Sequence, residues 1–374
     1  MTRPLRVLHL HSGNLYGGIE TLLVALARYR EQCAAMEQEF ALCFDARLAR
    51  ELRGTGAAVA VLGGAKLSRP WTLRRVRGML GKAIAERQYD VVICHSAWSR
   101  AVFGPALRGS HAHLVLWEHS ASTKTHWLER WASRIQPDLT LANSEFTRAV
   151  LAEREPGLAI EVLYAPVAPS SPDPAQRDSL RAALGTTPDT TVILQVSRME
   201  PWKGQLVHLQ ALGQLRELEH WVCWQVGGPQ RAREQRYLAD LEAHAERLGI
   251  AGRVEFLGQR GDTAALYGAA DVFCQPNTGP EPFGIVFVEA LYAGLPVVTS
   301  NFGGGAEIID SSCGLLVPPN DPSALAAALR TLVTDHELRR RLGAAGPERA
   351  RALCEPVSQV SRLHEILADR FGSL

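Results

Sequence analysis

The segment 281–291 constrains the fold of this chain more than any other stretch of its sequence. Residues 271–276 before it are rich in branched and aromatic side chains, as in a strand, and residues 296–299 after it form a second strand-like run. Gly294 lies between these runs and suits the C-cap of a helix. We therefore expect a loop that enters a helix between two strands of a parallel sheet.

Two glutamates lie in and before this helix. Residues 283–293 are apolar on nearly every face, which predicts a buried helix, and Glu289 is its only charge. A buried carboxylate needs a partner, either a cation in the core or the hydroxyl groups of a ligand. Glu281 precedes the helix, where free N–H groups favour an anion, so it either caps the helix or competes with or orients an anionic ligand. Each glutamate alone is better explained structurally, but the turn-rich loop 278–284 beside them favours a ligand site.

The run Glu281-Pro282-Phe283-Gly284, with Glu289 eight residues after Glu281, resembles the E-x7-E motif of retaining glycosyltransferases. Together with residues 293–298, it makes the chain most similar to glycosyltransferase family 4. This resemblance implies the GT-B fold, an α/β architecture in which two Rossmann-like doubly wound domains face each other across a cleft.

Composition excludes several other classes of protein. The chain is 46% hydrophobic and 21% charged, as is usual for soluble globular proteins, and its net charge of +1 offers no basis for binding nucleic acid. Its seven cysteines are scattered without a C-x-x-C pair, which favours a reducing cytoplasm over a metal or disulfide framework. We see no signal peptide and no segment long enough to span a bilayer.

The 374 residues predict two or three domains, and the best linker is the segment 168–174, which contains three prolines. We expect an N-terminal Rossmann-like, acceptor-binding domain over residues 1–168 and a C-terminal Rossmann-like, nucleotide-sugar-binding domain over residues 175–354. The resemblance implies that the last helix, in residues 355–374, packs back on the first domain. It is specific over residues 197–309 and weak over residues 30–110, where this family binds acceptors.

The N-terminus has a strand at residues 5–11, a glycine-containing loop and a helix at residues 19–32, an opening common to doubly wound folds. Gly17 and Gly18 allow a ligand to approach the backbone, but the loop is not G-x-G-x-x-G and does not support a nicotinamide or flavin site. Two interpretations stand equally. One is a helix N-terminal turn with Glu20 as its acidic residue. The other, implied by the resemblance, places residues 17–20, with Gly17 and Gly18 at their start, beside the donor phosphates and the acceptor.

Polar side chains follow several strands of the first half, where ligands of parallel sheets bind. His95 follows one strand, His119 the next and Asn143 a later one. The resemblance implies that His119 hydrogen-bonds the donor sugar. A lone histidine is more often a satisfied core residue, and the place of His119 at a strand end favours function. The strands that we predict here, alternating with helices, are 40–44, 57–62, 90–94, 113–117, 139–142 and 160–163.

Cations follow the first strand of the second half, at residues 191–196. Arg198 as a bidentate fork and Lys203 as a point charge suit a pyrophosphate, and this Arg-x4-Lys spacing resembles the diphosphate-binding pair of the family. The resemblance also implies that the main chain near Gly258 contacts the nucleotide base. The glycines 303–305 are either a plain turn or the glycine loop that the family places under the donor site.

The chemistry that this resemblance implies is transfer of a sugar from a nucleotide-diphosphate sugar, which we expect to be a UDP- or GDP-sugar. Arg198, Lys203 and the backbone of Phe283, Gly284 and Ile285 would stabilise the departing diphosphate by electrostatics alone, since no Asp-x-Asp run is present to hold a metal. We therefore expect no metal and no other cofactor.

The remaining roles implied are a ribose contact for Glu289 and sugar contacts for Glu281, with His119 helping. The anomeric configuration is retained through front-face attack by the hydroxyl of a glycan, a lipid-linked acceptor or a small molecule. Two alternatives remain open. A non-catalytic sugar-nucleotide-binding subunit on the same fold could tolerate loss of Arg198, Lys203 and both glutamates, and a GT-B epimerase would form product without any acceptor.

A basic segment predicts a helix at residues 71–84. Four apolar side chains share one face of it, and cations occupy the rest. Such a helix can dock peripherally on an anionic membrane, although we favour a solvated helix on the outside of the sheet. The apolar residues are Leu73, Val76, Leu80 and Ile84, and the cations are Arg74, Arg75, Arg77 and Lys82.

Overall fold

The computed structural model describes residues 3–14, 16–121, 127–169 and 173–372. It divides into two compact units. Unit 1 comprises Met1–Ala168 together with Cys354–Leu374, and unit 2 comprises Pro169–Leu353. Each unit is built around its own parallel sheet, and each is considered separately below.

Unit 1 contains a sheet of seven parallel strands among its described residues, in the order β3-β2-β1-β4-β5-β6-β7. The order reverses between β1 and β4, so their carboxyl ends form a topological switch point, where α/β sheets bind ligands. The strands are β1 Leu5–His11, β2 Met36–Leu42, β3 Val59–Val61, β4 Val91–Cys94, β5 His113–Glu118, β6 Leu139–Ala142 and β7 Ile160–Val162. The helices between them are α1 Gly18–Tyr29, α2 Arg47–Gly54, α3 Pro70–Arg87, α4 Ala97–Leu107, α5 Trp127–Ala132 and α6 Glu145–Arg154.

Unit 2 contains six parallel strands among its described residues, in the order β10-β9-β8-β11-β12-β13, so its switch point lies between β8 and β11. The strands are β8 Thr191–Val196, β9 Trp221–Val226, β10 Val254–Gly258, β11 Val272–Gln275, β12 Val297–Ser300 and β13 Gly314–Val317. The helices are α7 Pro174–Ala183, α8 Gln205–Gly213, α9 Ala232–Arg247, α10 Thr263–Ala269, α11 Ile285–Tyr292, α12 Gly305–Ile308, α13 Pro322–Thr334 and α14 His336–Cys354.

The last helix, α15 (Pro356–Phe371), belongs to unit 1. It buries Val360, Leu363 and Leu367, and the Phe371 ring stacks on His113 at the start of β5 with 4.2 Å between ring centroids. Since the chain leaves unit 1 near residue 168 and returns near residue 354, unit 1 is completed only by the C-terminus.

Some predicted bounds were wrong. The strand expected at 40–44 is β2 Met36–Leu42. The polar residues at its start do not give a strand pattern in the sequence, although Gln38 among them is only 5% exposed. The sequence predicts a helix over residues 337–342 only, whereas helix α14 continues to Cys354. Gly343 and Gly346 look like helix breakers, but each lets α14 approach a backbone carbonyl closely, that of Gly294 and that of Leu291. Residues 170–172 of the predicted linker lie outside the described residues. Helix α7 begins at Pro174, the last residue of that linker, and is capped by Asp173.

The basic helix α3 buries the four predicted apolar residues. One of its cations is half-buried against α4, contrary to our expectation. Arg77 donates to the carbonyls of Ala101 (3.2 Å) and Val102 (2.6 Å) in α4, where Pro105 cannot supply the N–H that Ala101 would otherwise receive. Across the described residues, no helix combines the length and the apolar character needed to cross a membrane.

Candidate functional site

The switch point of unit 2 brings together two of the predicted segments. The loop that carries Arg198 and Lys203 follows β8, and the loop that carries Glu281 follows β11. Since β8 and β11 are adjacent parallel strands, these loops leave the same edge of the sheet side by side. The sequence therefore located correctly two loops that are 78 residues apart in the chain, measured from Lys203 to Glu281.

Lys203 and Glu281 form an ion pair at this edge. Lys203 Nζ lies 2.5 Å from Glu281 Oε2, and the two side chains are only 12% and 11% exposed. Gln275 Nε2 and Asn277 Nδ2 lie 3.4 and 3.5 Å from the same oxygen. All three donors face Oε2, so within the described ranges Glu281 Oε1 accepts no hydrogen bond from the protein. Glu281 is thus held in place with one oxygen available to a ligand hydroxyl.

The backbone around Lys203 is tied to both strands. Its carbonyl accepts a hydrogen bond of 2.9 Å from Gln195 Nε2 on β8. Gly204 adopts a φ of +78°, and a Cβ there would overlap the Pro276 carbonyl after β11. The Lys203 ammonium also lies 3.9 Å from the centroid of the Trp202 ring, a cation–π contact. The lysine is therefore rigidly placed.

The three glycines at 303–305 pack under the Glu281 loop. Gly304 N donates to the Glu281 carbonyl at 2.7 Å, and a Cβ on Gly304 would overlap the backbone of Pro282 and Phe283. A Cβ on Gly303 would likewise meet the Glu281 backbone at 2.7 Å. Gly304 has an ordinary helical φ of −62°, so close approach to the loop, more than the geometry of a turn, explains the absence of a side chain there.

Helix α11 begins immediately after this loop. Gly284 is its N-cap with a φ of +103°, and no side chain caps it, so Glu281 is not the capping acid. Phe283 is buried, and Ile285 is the first residue of the helix. The first N–H groups of α11 lack intrahelical partners, as at any helix start, and together with the helix dipole they favour an anion.

Glu289 on α11 is partly buried, and its partner is a hydroxyl group instead of a cation. Tyr267 Oη on α10 donates to Glu289 Oε2 at 3.1 Å. Burial raises the pKa of Glu289 to about 7, and the hydrogen bond from Tyr267 opposes this rise. Burial also raises the pKa of Tyr267 well above its ordinary value, so the phenol remains a donor. No sequence signal pointed to Tyr267.

Arg198 and Lys203 contact different carboxylates. The Arg198 side chain is 51% exposed and lies 3.0 Å from Glu200, whose other contact is Trp202 Nε1 at 3.0 Å. Gly258 ends β10 with a φ of +65°, its carbonyl accepts from Gly227 N at 2.8 Å, and a Cβ there would meet nothing within 4 Å. Gly258 therefore lies at an open position on the same sheet edge.

The remaining predicted residues lie in unit 1. His119 follows β5, and its Nε2 lies 3.1 Å from His95 Nδ1. His95 Nε2 in turn lies 2.9 Å from His9 Nδ1, and His9 Nε2 lies 3.0 Å from Gln38 Oε1. Burial lowers the pKa of His9 to about 4 and that of His119 to about 3, and it places the pKa of His95 well below its ordinary value. All three rings are neutral at pH 7.

A pocket of about 350 Å³ opens beside this line of rings. It is lined by His95 and His119 together with Ser96, Ser120 and Glu118. Glu118 is 3% exposed and pairs with Arg154 at 3.2 Å.

The glycine loop of unit 1 also has a structural role. Gly17 is the N-cap of α1 and Gly18 its first residue. Glu20 in the first turn of α1 is buried and pairs with His11 Nε2 at 2.8 Å. Ser144, after β6, is the N-cap of α6. The helix-turn interpretation of Gly17 and Gly18 therefore holds, and their contact with a ligand stays a prediction.

Sequence analysis missed several residues of these sites. Gln275 and Asn277 stand at a strand end, the signal that selected His119, and could have been found in that way. Gln38 and His9 lie inside strands and gave no such signal. Among the described residues, no group of three or more His, Cys, Asp or Glu side chains is arranged to hold a metal ion.

Comparison with known proteins identifies the family. Residues 16–171 match the family described as Glycosyltransferase Family 4, and residues 176–349 match the family described as Glycosyl transferases group 1. A GDP-mannose-dependent alpha-(1-6)-phosphatidylinositol monomannoside mannosyltransferase of Mycolicibacterium smegmatis is 30% identical over 79% of this chain and 80% of its own length. The chain belongs to glycosyltransferase family 4.

Other matches extend this similarity over nearly the full chain. A phosphatidyl-myo-inositol mannosyltransferase of Mycobacterium leprae is 29% identical over 96% of this chain and 95% of its own length. The crystal structure of Anabaena HepE in complex with UDP-glucose matches 98% of this chain and 100% of its own, with a TM-score of 0.85 and 26% identity. The expected GT-B fold with two Rossmann-like doubly wound domains is thus confirmed, and this family-4 chain is a glycosyltransferase.

Proposed function

We propose that the chain is a retaining, metal-independent glycosyltransferase that uses a nucleotide-diphosphate sugar as donor. The observation that carries this proposal is the Lys203–Glu281 pair at the switch point of unit 2, beside the start of α11. A cation and the N–H groups at the start of α11 favour the diphosphate, and a carboxylate with one available oxygen favours a sugar hydroxyl.

The donor is a UDP- or GDP-sugar, and the acceptor carries the attacking hydroxyl on a glycan, a lipid-linked molecule or a small molecule. One relative is named as GDP-mannose-dependent, and Anabaena HepE was solved with UDP-glucose. The names of two relatives include a phosphatidylinositol group, which supports a lipid-linked acceptor. The identity of the transferred sugar is left to experiment.

The proposed chemistry assigns each group in unit 2 a role. The N–H groups of Phe283, Gly284 and Ile285, with Lys203 and Arg198, stabilise negative charge as the diphosphate departs. One Lys203 donor is used by Glu281, and an ammonium has three, so two remain for phosphate oxygens. Because these groups neutralise the leaving group, the reaction requires no metal.

Hydroxyl groups of the donor engage carboxylates. Glu281 Oε1 accepts from the transferred sugar, and Glu289 accepts from the ribose. The main chain at Gly258 contacts the base. We propose contacts with the reacting sugar for His119 and with the donor phosphates for Gly17 and Gly18. The acceptor hydroxyl attacks the same face of the anomeric carbon that the diphosphate leaves, with a leaving-group oxygen taking its proton.

Two other functions predict different outcomes for the donor. A non-catalytic sugar-nucleotide-binding protein would bind donor without turnover, and an epimerase would change the donor without an acceptor. The close pairing of Lys203 with Glu281 and the glycine loop beneath it favour catalysis, since simple binding does not need so constrained a carboxylate.

The first test is thermal unfolding of the purified protein with UDP-, GDP-, ADP- and dTDP-sugars, with and without EDTA. A ligand at about 100 times its dissociation constant adds about 2.7 kcal/mol of stability, which raises the melting temperature visibly. We expect one UDP- or GDP-sugar to stabilise the protein equally with and without EDTA.

Transfer is then assayed with that donor and lipid or glycan acceptors. We expect Glu281→Gln to bind nucleotide diphosphate and to transfer at a rate lower by orders of magnitude. Normal transfer by this variant would reject the role of Glu281. Donor binding without transfer to any acceptor in a cell extract would favour the non-catalytic alternative, and acceptor-independent change of the sugar would favour the epimerase.

We further propose that α3 touches an anionic membrane surface peripherally. Trp71 is 65% exposed and Met79 is 41% exposed on this helix, where Arg74 and Lys82 are exposed as well. Aromatic and cationic side chains together suit the lipid headgroup layer. We expect co-sedimentation with anionic vesicles at low salt that Trp71→Ser with Lys82→Gln abolishes. Equal binding to neutral vesicles, or none to anionic ones, would exclude this contact.

A further inference from the structure

Two buried glutamines donate hydrogen bonds to the loop that carries Arg198 and Lys203. Gln195 lies on β8 and Gln205 is the first residue of α8, and their exposed fractions are 0% and 1%. Gln195 Nε2 donates to the carbonyl of Lys203 at 2.9 Å, and Gln205 Nε2 donates to the carbonyl of Arg198 at 2.9 Å. Each cation of the proposed diphosphate site therefore has its own buried amide on its main chain.

The orientation of both amides is set by these partners. A main-chain carbonyl only accepts, so the nitrogen of each amide faces it. Each nitrogen also has an acceptor for its second hydrogen, because Ser197 Oγ lies 3.4 Å from Gln195 Nε2 and 3.1 Å from Gln205 Nε2. The amide oxygens face His208 Nδ1 at 2.8 Å and Tyr237 Oη at 3.4 Å. Rotating either amide by half a turn would set its oxygen against a carbonyl oxygen, so the two donations to the loop do not depend on a choice between orientations.

The two carbonyls depend on these amides to different degrees. Among the described residues, Gln195 is the only donor to the carbonyl of Lys203, whereas the carbonyl of Arg198 also accepts from Glu200 N at 2.8 Å. A carbonyl that loses its buried donor moves towards another donor or towards water, because an unpaired buried acceptor is costly. Loss of the Gln195 amide should therefore displace Lys203 more than loss of the Gln205 amide displaces Arg198.

We propose that Gln195 is a positioning residue for Lys203 and that Gln205 is a positioning residue for Arg198. Both glutamines are almost fully buried, so they act on a ligand through these cations alone. A binding group has its full effect only when it is held within about 0.5 Å of its working position by buried hydrogen bonds behind it. That the ligand is the diphosphate of the donor rests on the proposed function, whereas the placement of the two cations does not.

The first part of the test measures ligand binding by isothermal titration of the full chain with UDP and with GDP. Methionine has nearly the length of glutamine and lacks its amide. We expect Gln195→Met to weaken the nucleotide that binds by about tenfold and Gln205→Met to weaken it by about fivefold, within the range of couplings between residues in contact. An unchanged affinity in both folded variants would overturn the proposal.

Each glutamine should act through one cation only. Gln195→Met should keep its full effect on affinity in an Arg198→Gln background and change affinity by less than about twofold in a Lys203→Met background, since the group that it positions is then absent. Gln205→Met should show the opposite pattern. A general loss of packing would weaken binding equally in both backgrounds, and that result would overturn the proposal.

The second part of the test needs no ligand. The coupling between Lys203 and Glu281 is obtained from the urea midpoints of four proteins: the chain with both residues, Lys203→Met, Glu281→Gln and the double variant. We expect this coupling to fall by about half or more when Gln195→Met is added, because the ammonium no longer meets the carboxylate as closely. Gln205→Met should leave it unchanged. A coupling that survives Gln195→Met in full would overturn the role of Gln195.

Gln225→Met is the matched control. Gln225 is 1% exposed and is the register partner of Gln195 on the neighbouring strand β9. Its Nε2 lies 3.2 Å from His208 Nδ1 and 3.4 Å from Cys223 Sγ, and it donates to neither loop carbonyl. The substitution should lower the melting temperature and leave the nucleotide affinity unchanged. A loss of affinity as large as that of Gln195→Met would show that packing alone is responsible and would overturn the proposal. Melting temperatures verify folding, and Gln205→Met decides the outcome if Gln195→Met does not fold.

Failure here differs from failure of the proposed function. A protein that binds neither UDP nor GDP but loses the Lys203–Glu281 coupling in Gln195→Met rejects the donor assignment alone. A protein that binds one of the two nucleotides with the same affinity in all folded glutamine variants rejects this inference alone.

Discussion

We expect the Lys203–Glu281 ion pair to stabilise the folded protein, in addition to its proposed role in ligand binding. Removing one charge leaves the other in a site where both side chains are nearly nine-tenths buried. We expect Lys203→Met to lower the free energy of unfolding by about 3 kcal/mol, because breaking a buried pair from one side leaves an unmatched charge. The double variant Lys203→Met with Glu281→Gln should recover much of this loss. Urea unfolding of unit 2 measures both.

Activity should not follow stability in this pair. The double variant lacks both groups and should be as inactive as either single variant, although it is more stable than Lys203→Met. Lys82→Met, an exposed lysine on α3, is the matched control and should change stability by less than about 0.5 kcal/mol. Transfer restored together with stability in the double variant would contradict the roles proposed for both residues.

Glu289 should make stability depend on pH. Its pKa of about 7 in the folded protein lies above the ordinary 4.5, so the folded state holds this proton more tightly than the unfolded state does. The stability contribution of this group is full below pH 4.5 and is lost as the pH rises towards 7. Above pH 7 it does not change further. Glu289→Gln removes this dependence. The free energy of unfolding of the variant, measured in urea, should therefore rise relative to that of the wild type between pH 5 and pH 8.

Ligand binding should show the opposite trend at the same residue. The ionised carboxylate accepts from ribose hydroxyls, so the affinity of the wild type for UDP or GDP should rise from pH 6 to pH 8, and that of Glu289→Gln should not. Glu348→Gln, on the exposed surface of α14, is the control for both measurements. An affinity that is equally flat in wild type and Glu289→Gln would exclude the ribose contact.

Among the elements, the glycine loop before α12 makes the sharpest prediction. A Cβ on Gly304 would overlap the backbone of Pro282 and Phe283, whereas the φ of Gly304 suits alanine. We expect Gly304→Ala to displace the Glu281 loop and to weaken donor binding by about tenfold or more, since overpacking costs about 1–3 kcal/mol. Gly261→Ala is the control, since a Cβ there meets nothing within 4 Å. Isothermal titration with the donor measures the effect, and equal affinities would contradict it.

The same elements explain how far sequence alone could reach. The loops after β8 and β11 were predictable, because their motifs are local and parallel strands bring successive loops to one edge. The partner of Glu289 was not, since Tyr267 lies on a different helix and nothing in its local pattern distinguishes it from a core residue. Helix α14 was cut short because Gly343 looks like a breaker unless the carbonyl of Gly294 that it approaches is known. Local conformation was largely predictable from the sequence, whereas contacts between distant segments were not.

At the scale of the whole molecule, the path of the chain gives its C-terminus a role in the unit where the chain begins. Helix α15 buries Leu363 completely within unit 1, although the 185 residues of Pro169–Leu353 separate it from the rest of that unit in sequence. Loss of such a side chain costs about 2–5 kcal/mol. Leu363→Ala should therefore destabilise unit 1 and leave unit 2 unaffected. Hydrogen exchange monitored by mass spectrometry separates the two, because each unit has its own strands.

We expect faster exchange in β1, β4 and β5 of the Leu363→Ala variant and unchanged exchange in β8 and β11. Leu329→Ala is the reciprocal control, because Leu329 on α13 is buried just as completely within unit 2 and should accelerate β8 and β11 alone. A donor that binds at the switch point of unit 2 should slow exchange in β8 and β11 of the Leu363→Ala variant by the same factor as in the wild type. Uniform acceleration of all five strands by either substitution would show that the two units unfold as one, and the stability of the donor site would then depend on α15 as well.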